Sequence, residues 1–307
     1  MSFGNQASWM VDGEAAKTVL KRAWDLGINF YDTANVYSKG KSEEILGEFL
    51  KGARDDAVIA TKVYSPMGEG VNQQGLSSKH VHHAFGESLR RLGTAYVDLY
   101  QTHRWDYNTP IEETLSVLSG LIESEKVRYI GASSMWAWQF AKALCTSDIK
   151  GYARFVSMQN LYNLIYREEE REMIPLCGAE RIALIPWSLT AAGILSGKYF
   201  EEGKVVTSEK DSGRISPGSM AHSRYVGKPS TDEIVRRTRE LAGNKGATPT
   251  QVAIAWLLCK GVTAPIIGTT KVEHLEEFVG SLGVRISPEE VKYLEEPYVP
   301  QPVTGHV

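Results

Sequence analysis

Four side chains of this 307-residue sequence have the types and spacing for proton transfer: Asp32, Tyr37, Lys62 and His103. Asp32 follows a short apolar run at 28–31, and Tyr37 comes five residues later. Lys62 ends the run AVIATK, and His103 ends YVDLYQTH. A tyrosine donates a proton at neutral pH only if its acidity is raised. A lysine cation favours the phenolate, and a carboxylate beside that lysine keeps it charged and oriented. A histidine can then hydrogen-bond the substrate oxygen or share in the transfer. Such a set suits adding a proton to a carbonyl oxygen while hydride arrives at its carbon. Singly, each residue has an ordinary alternative: a turn cap, a loop cover, a surface lysine, a loop histidine with its bonds satisfied. All four at matching ends of successive elements decide for a site, because the carboxyl ends of strands in a parallel barrel share one mouth.

The elements that must position them alternate. Seven short apolar runs read as strands, at 28–31, 57–62, 96–103, 127–133, 155–160, 183–188 and 264–268. Helical patterns separate them, from a first helix that Asp12 can cap, running to Leu26, through 42–51, 78–91, 110–123, 136–145 and 168–178. Further helices are expected at 231–243, 249–260, 271–279 and 288–295, after an irregular stretch at 199–229. Strands joined by helices at this spacing imply parallel pairing through right-handed crossovers. The length, and the lack of a GxGxxG turn after an early strand, favour a (β/α)8 barrel over a doubly wound sheet. A single domain over 1–307 is expected, with a proline-containing tail at 296–307 extended over the surface or disordered.

Hydrophobic content of 42%, charged content of 23%, a formal charge of −3 and a pI near 6.2 describe an ordinary globular chain. They give no electrostatic case for nucleic acid or an anionic membrane, and no apolar run reaches bilayer length. The expected partner is a small molecule, and oligomeric state is not readable. Cys145, Cys177 and Cys259 are too scattered for a disulfide framework and fit a reducing, cytoplasmic setting. His80, His82 and His83 crowd a polar helix start without a ligand set, so no metal is expected and a solvated face is the better reading.

The segments GINFYDTANVYSKGKSEEILG, IATK, LYQTHRWD, VRYIGASSM, SMQNLYN, IPWS…GILSGKY and PIIGTTKVEHLEE occur in an order that resembles the aldo-keto reductase family over essentially the whole length. The nearest resemblance is to its fungal aryl-alcohol-dehydrogenase-like branch, some members of which act on polyketide aldehydes and ketones in secondary metabolism. The resemblance implies NADPH-dependent reduction of aldehydes or ketones, with Asp32, Tyr37, Lys62 and His103 as catalytic tetrad and Tyr37 as proton donor. Ser133, Ser134 and Gln159 match positions that hold the nicotinamide carboxamide, and Trp187 matches an aromatic that stacks on the ring. Ser188, Leu189, Thr190, Ala191, Gly193 and Lys198 match the segment around the pyrophosphate. Gly268, Thr269, Thr270, Lys271, His274 and Glu277 match the turn and helix start that hold the adenosine ribose and its 2′-phosphate, with Phe278 a packing contact.

Three departures from the family pattern bear on these expectations. The first residues match those just after the family's first strand, so strand one and the bottom hairpin are expected to be lacking, as in a shortened chain. The family's SPLARG-like segment reads Ser-Leu-Thr-Ala-Ala-Gly at 188–193, without its proline and arginine. Phe278 replaces an asparagine that contacts adenine in other branches. The rival expectations are therefore a cofactor-binding regulatory protein of low activity, or an unstable product. Tyr64, Trp105 and Trp136 are candidates for an aromatic substrate pocket, and Arg214 or Arg224 could reach a phosphate from the long loop.

Overall fold

A computed structural model describes residues 3–7, 10–207 and 215–306. Six parallel strands form one sheet in the order of the chain: β1 (Phe30–Asp32), β2 (Val58–Val63), β3 (Val97–Thr102), β4 (Val127–Ser133), β5 (Phe155–Gln159) and β6 (Ala183–Leu184). Between them run α1 (Gly13–Asp25, before β1), α2 (Lys41–Phe49), α3 (Ser78–Leu92), α4 (Ile111–Glu123), α5 (Ala137–Lys150) and α6 (Met173–Ala179). This is the alternation of a TIM-type barrel, with six strands in place of the seven expected. The segment 264–268 does lie beside β6: Ala264 and Ile266 donate backbone N–H bonds to Leu184 and Pro186 carbonyls, at 3.2 and 2.9 Å. It is not a regular strand, because Pro186 and Pro265 have no N–H to give a ladder.

The remaining elements are a small hairpin, β7 (Phe200–Glu201) with β8 (Lys204–Val205), then α7 (Met220–Tyr225), α8 (Pro229–Lys245), α9 (Pro249–Cys259), α10 (Val272–Gly280) and α11 (Pro288–Glu295). The hairpin and α7 lie in the stretch expected to be irregular. Helix α5 runs past Cys145 to Lys150, where Gly151 turns left-handed and stops it. Asp12 stands at the start of α1 but its side chain makes no capping bond. His80 is not on a solvated face: it is buried, and its Nδ1 lies 3.0 Å from the Asn72 carbonyl oxygen.

Inside the sheet the side chains fall into two rings. Ala60, Leu99 and Ile185 are buried together with Phe30, Ala264 and Ile266 against them, making an apolar ring. Two residues further along each strand stand Asp32, Lys62 and Gln101, which face the same way because a strand repeats every second residue. In β4, Gly131 is required by close approach: a Cβ there would come within 2.5 Å of Ser157 Oγ and 3.1 Å of Gln101 Cγ. The apolar ring is thus a floor, and the polar ring above it holds the candidate site.

Candidate active site

Asp32 ends β1, and the chain then turns through Thr33–Val36 to place Tyr37 over Lys62. Three residues in left-handed backbone follow, Ser38, Lys39 and Gly40, at φ 48°, 51° and 92°, which redirect the chain into α2. Ser38 is anchored by its hydroxyl bond to the Phe3 carbonyl oxygen at 3.1 Å. Lys62 is fully buried. Its ammonium donates to Asp32 Oδ2, to the Thr33 carbonyl oxygen at 2.8 Å and to the Tyr37 hydroxyl at 3.4 Å. Asp32 Oδ1 accepts from Gln101 Nε2 at 2.9 Å and from Gln159 Nε2 at 3.0 Å. His103 meets the Tyr37 ring edge to face, centroids 5.7 Å apart. The four tetrad candidates therefore converge.

Burial raises the Tyr37 phenol above its ordinary value of 10.0; Lys62 pulls it down and Asp32 pushes it up. Lys62 thus acts in the expected sense, but burial outweighs it and the phenol stays protonated. For Lys62 the largest single effect, burial, lowers its pKa; Asp32 and Tyr37 together outweigh that, and the net direction is upward. His103 is held well below 6.5 by burial, then by the Lys62 and Arg104 charges. It is a neutral imidazole at neutral pH, and its buried Nδ1 has no hydrogen-bond partner among the described residues. A protonated phenol on a buried cation, beside a neutral imidazole, can hand a proton to an oxygen placed between them.

The expected nicotinamide residues adjoin this group. Ser133 Oγ donates to the Gln159 carbonyl oxygen at 2.8 Å and lies 3.3 Å from Ser134 Oγ, to which Trp187 Nε1 donates at 3.3 Å. Gln159 gives its amide N–H to Asp32 and to Gln101, so only its Oε1 is left for a ligand. After Trp187, Ser188, Ala191, Ala192 and Gly193 all have positive φ, 64°, 50°, 58° and 96°. Such strain in non-glycine residues concentrates at ligand clamps. Leu189 is buried, Thr190 opens the tight turn Ala191–Ser196, and Lys198 Nζ sits 4.4 Å from the centre of the Tyr199 ring.

Thr270, Lys271 and His274 line an open groove against Ala15, Thr18 and Val19 of α1. Lys271 stands at the start of α10, and its N–H binds Thr269 Oγ1 at 3.0 Å. Gly268 is exposed just before that turn. Glu277 accepts from Thr248 Oγ1 at 2.5 Å and so supports the start of α9, while Phe278 packs on the core formed by α8 and α9. Arg224 donates to the Thr304 hydroxyl of the tail at 2.9 Å. Arg214 lies outside the described residues.

A dinucleotide with a nicotinamide fits the residues present. Asn35 is buried with both side-chain amide atoms unpartnered among the described residues, and it follows closely on Thr33, which binds Lys62. With His103 Nδ1 it leaves polar atoms for a ligand at this end of the sheet. Trp187 supplies a flat face, the left-handed run a strained backbone turn, and Lys198 and Lys271 cations.

Sequence reasoning missed Gln101, Asn35 and the tail. Gln101 was legible, since it stands two residues before His103 on one strand. The tail, expected to lie extended over the surface or be disordered, is pinned to residues that follow β4 and β5. Thr304 N donates to Tyr166 OH at 3.0 Å, and Gln301 N donates to Glu168 Oε1 at 2.7 Å. His306 is buried between Trp136, 4.8 Å away ring to ring, and Glu169 Oε1 at 2.9 Å. No short motif marks it. Of the pocket candidates, Trp136 thus meets the tail; Trp105 and Tyr64 pack partly buried on the strand core, and Trp105 meets Trp138 at 6.1 Å.

The profile of the aldo/keto reductase family matches residues 1–298. An aldo-keto reductase of Fusarium vanettenii is 41% identical, the match covering 97% of this chain and 85% of that one. Versiconal hemiacetal acetate reductase of Aspergillus parasiticus is 41% identical over 99% of this chain and 93% of its own. An aryl-alcohol-dehydrogenase-like protein of Schizosaccharomyces pombe is 38% identical over 100% of both. No helix among the described residues is long and apolar enough to cross a membrane.

Proposed function

Since the chain belongs to the aldo/keto reductase family, we propose that it is an NADPH-dependent reductase of aldehydes or ketones, of aryl or polyketide type, with Tyr37 as proton donor. The observation that carries this reading is the hydrogen-bonded row from Tyr37 through Lys62 and Asp32 to Gln159, which joins the proton site to the Ser133–Ser134–Trp187 group. NADPH, when bound, supplies the hydride. Tyr37 holds the proton for the substrate oxygen, and His103, neutral, orients that oxygen by a hydrogen bond. Lys62 stabilises the phenolate left behind, and Asp32 with its two glutamines keeps Lys62 in place. Lys198 and Lys271 supply positive charge for the pyrophosphate and the 2′-phosphate, and the second of these favours NADPH over NADH. The names of the relatives agree with carbonyl or alcohol substrates, and Tyr64, Trp105 and Trp136 suit flat apolar ones.

A cytoplasmic setting accords with the scattered free cysteines. The test is quenching of tryptophan fluorescence by NADPH, followed by NADPH oxidation with an aryl aldehyde. Tyr37→Phe should leave the quench intact and lower kcat/KM by about 10²–10⁴-fold, the span of a general acid. A second reading, a cofactor-binding protein of low activity, is favoured by the missing proline and arginine at 188–193. It predicts the quench without oxidation.

A further inference from the structure

Apart from helping to keep His103 neutral, Arg104 holds no substrate or cofactor group in the reading above. It follows His103 past the end of β3, is half-buried, and donates from Nη1 to the His103 carbonyl oxygen at 2.6 Å. That bond links sequence neighbours and ties no element to another. Other half-buried arginines of this chain hold carboxylates: Arg54 holds Asp98, Arg91 holds Glu43, Arg167 holds Glu170 and Glu295, and Arg237 holds Glu233 and Glu296. Arg224 is spent on the tail. Arg104 has no carboxylate in ion-pair range among the described residues. The nearest acid in sequence, Asp106, accepts from the Leu76 and Asn108 amides and the Thr109 hydroxyl.

A guanidinium removed from water without a counter-ion is costly, so such a group persists where something outside the fold completes it. Arg104 stands next to His103, whose ring meets Tyr37 at 5.7 Å, so it lies beside the proton-transfer group. Burial lowers its pKa, and its charge pulls against the upward shifts of Tyr37 and Tyr64 and adds to the downward shift of His103. Lys62, the other cation there, is already matched by Asp32. What remains is one planar fork of donors, which suits one planar anion.

We propose that Arg104 is a specificity-determining residue that pairs with a carboxylate on the substrate, so that the preferred substrates are carbonyl compounds with an acidic group a few atoms from the carbonyl. This rests on the reductase reading and narrows its substrate class. The acid takes no part in the proton transfer; it fixes the orientation of the carbonyl towards Tyr37.

The experiment compares the ring isomers of carboxybenzaldehyde with their methyl esters, using NADPH and the full chain. At least one acid should exceed its ester in kcat/KM by about tenfold or more, the worth of a charge-assisted bond. Arg104→Met should abolish that advantage, lowering kcat/KM for the acid about tenfold more than for the ester. If Arg104→Met does not fold, Arg104→Lys keeps the charge without the fork and should lose part of the advantage, on the acid alone. Equal rates for acid and ester in the wild type would overturn the proposal, as would a variant that slows both alike. Tryptophan quenching by benzoate separates this from the reductase reading. A saturable quench, weakened about tenfold in Arg104→Met, supports the anion site even if no carbonyl is reduced. No saturable quench in the wild type overturns it.

Discussion

Asp32 accepts from Lys62 on one oxygen and from Gln101 and Gln159 on the other. The two glutamines fill the lone pairs that Lys62 leaves open, so the carboxylate is both neutralised and fixed in rotation. His103 is the opposite case, a ring whose buried Nδ1 has no partner among the described residues and whose surroundings resist a second proton. Its folded pKa lies below the ordinary 6.5, so as pH falls through 6.5 the unfolded chain takes up a proton that the folded chain refuses. Stability from this group is therefore full above pH 6.5 and is lost as pH falls from there towards the folded value. The slope is at most about 1.4 kcal/mol per pH unit for each such group. His80, also lowered by burial, adds in the same direction. Urea midpoints measured between about pH 7.5 and pH 5 should fall with acid, and the fall should be shallower in His103→Gln. Equal slopes in the two proteins would mean that other groups govern the acid limb.

Helix α2 holds the loop that carries Tyr37. Its Ser42 hydroxyl is 2.8 Å from Thr33 Oγ1, and its buried Glu43 accepts from Thr61 at 2.6 Å and pairs with Arg91 of α3 at 2.7 Å. The two helices approach so closely at Gly47 that a Cβ would come within 2.4 Å of the Leu92 carbonyl oxygen, a backbone atom that cannot turn aside. Gly47→Ala should therefore destabilise the protein by about 1–3 kcal/mol, the range for overpacking. Gly86, on the exposed face of α3, meets nothing within 4 Å, and Gly86→Ala should stabilise by about 1 kcal/mol. Denaturant midpoints of the pair check both signs. Much of this layer was legible: strands and helices alternate where the apolar runs predict, with ends shifted by a few residues. The seventh strand was misread because an apolar run shows burial and says nothing about ladder hydrogen bonds, which Pro186 and Pro265 interrupt. The contact at Gly47 was not legible, since a glycine inside a helix looks the same whether its neighbour is solvent or a carbonyl.

Across the whole molecule, the site depends on two bodies of contacts made at very different sequence separations. The tetrad and the glutamines come from strand ends, so period-two patterning and a shared mouth were enough to gather Asp32, Lys62 and His103 from the sequence. The tail reaches the same mouth through single side-chain bonds to residues more than 130 positions away, which no local pattern encodes. Its last contacts bear directly on the expected cofactor face: a Cβ at Gly305 would lie 3.7 Å from Trp187 Cζ2, and His306 stands between Trp136 and Glu169. Glu169 also takes the Asn160 side-chain amide at 2.5 Å, and the Asn160 carbonyl oxygen accepts from Trp187 N at 2.9 Å. The tail therefore steadies Trp187 both by packing and through Glu169. Removing residues 302–307 leaves the buried Glu169 carboxylate without His306, which should cost about 1–3 kcal/mol. It should also shift tryptophan emission to the red and raise the NADPH dissociation constant more than it lowers kcat, because among the described residues Tyr37 and Lys62 take no bond from the tail. His306→Ala alone should give the stability loss with a smaller emission shift, since the Gly305 backbone stays beside Trp187. A truncated protein with unchanged emission and unchanged NADPH affinity would show that Trp187 is held by the strand ends alone.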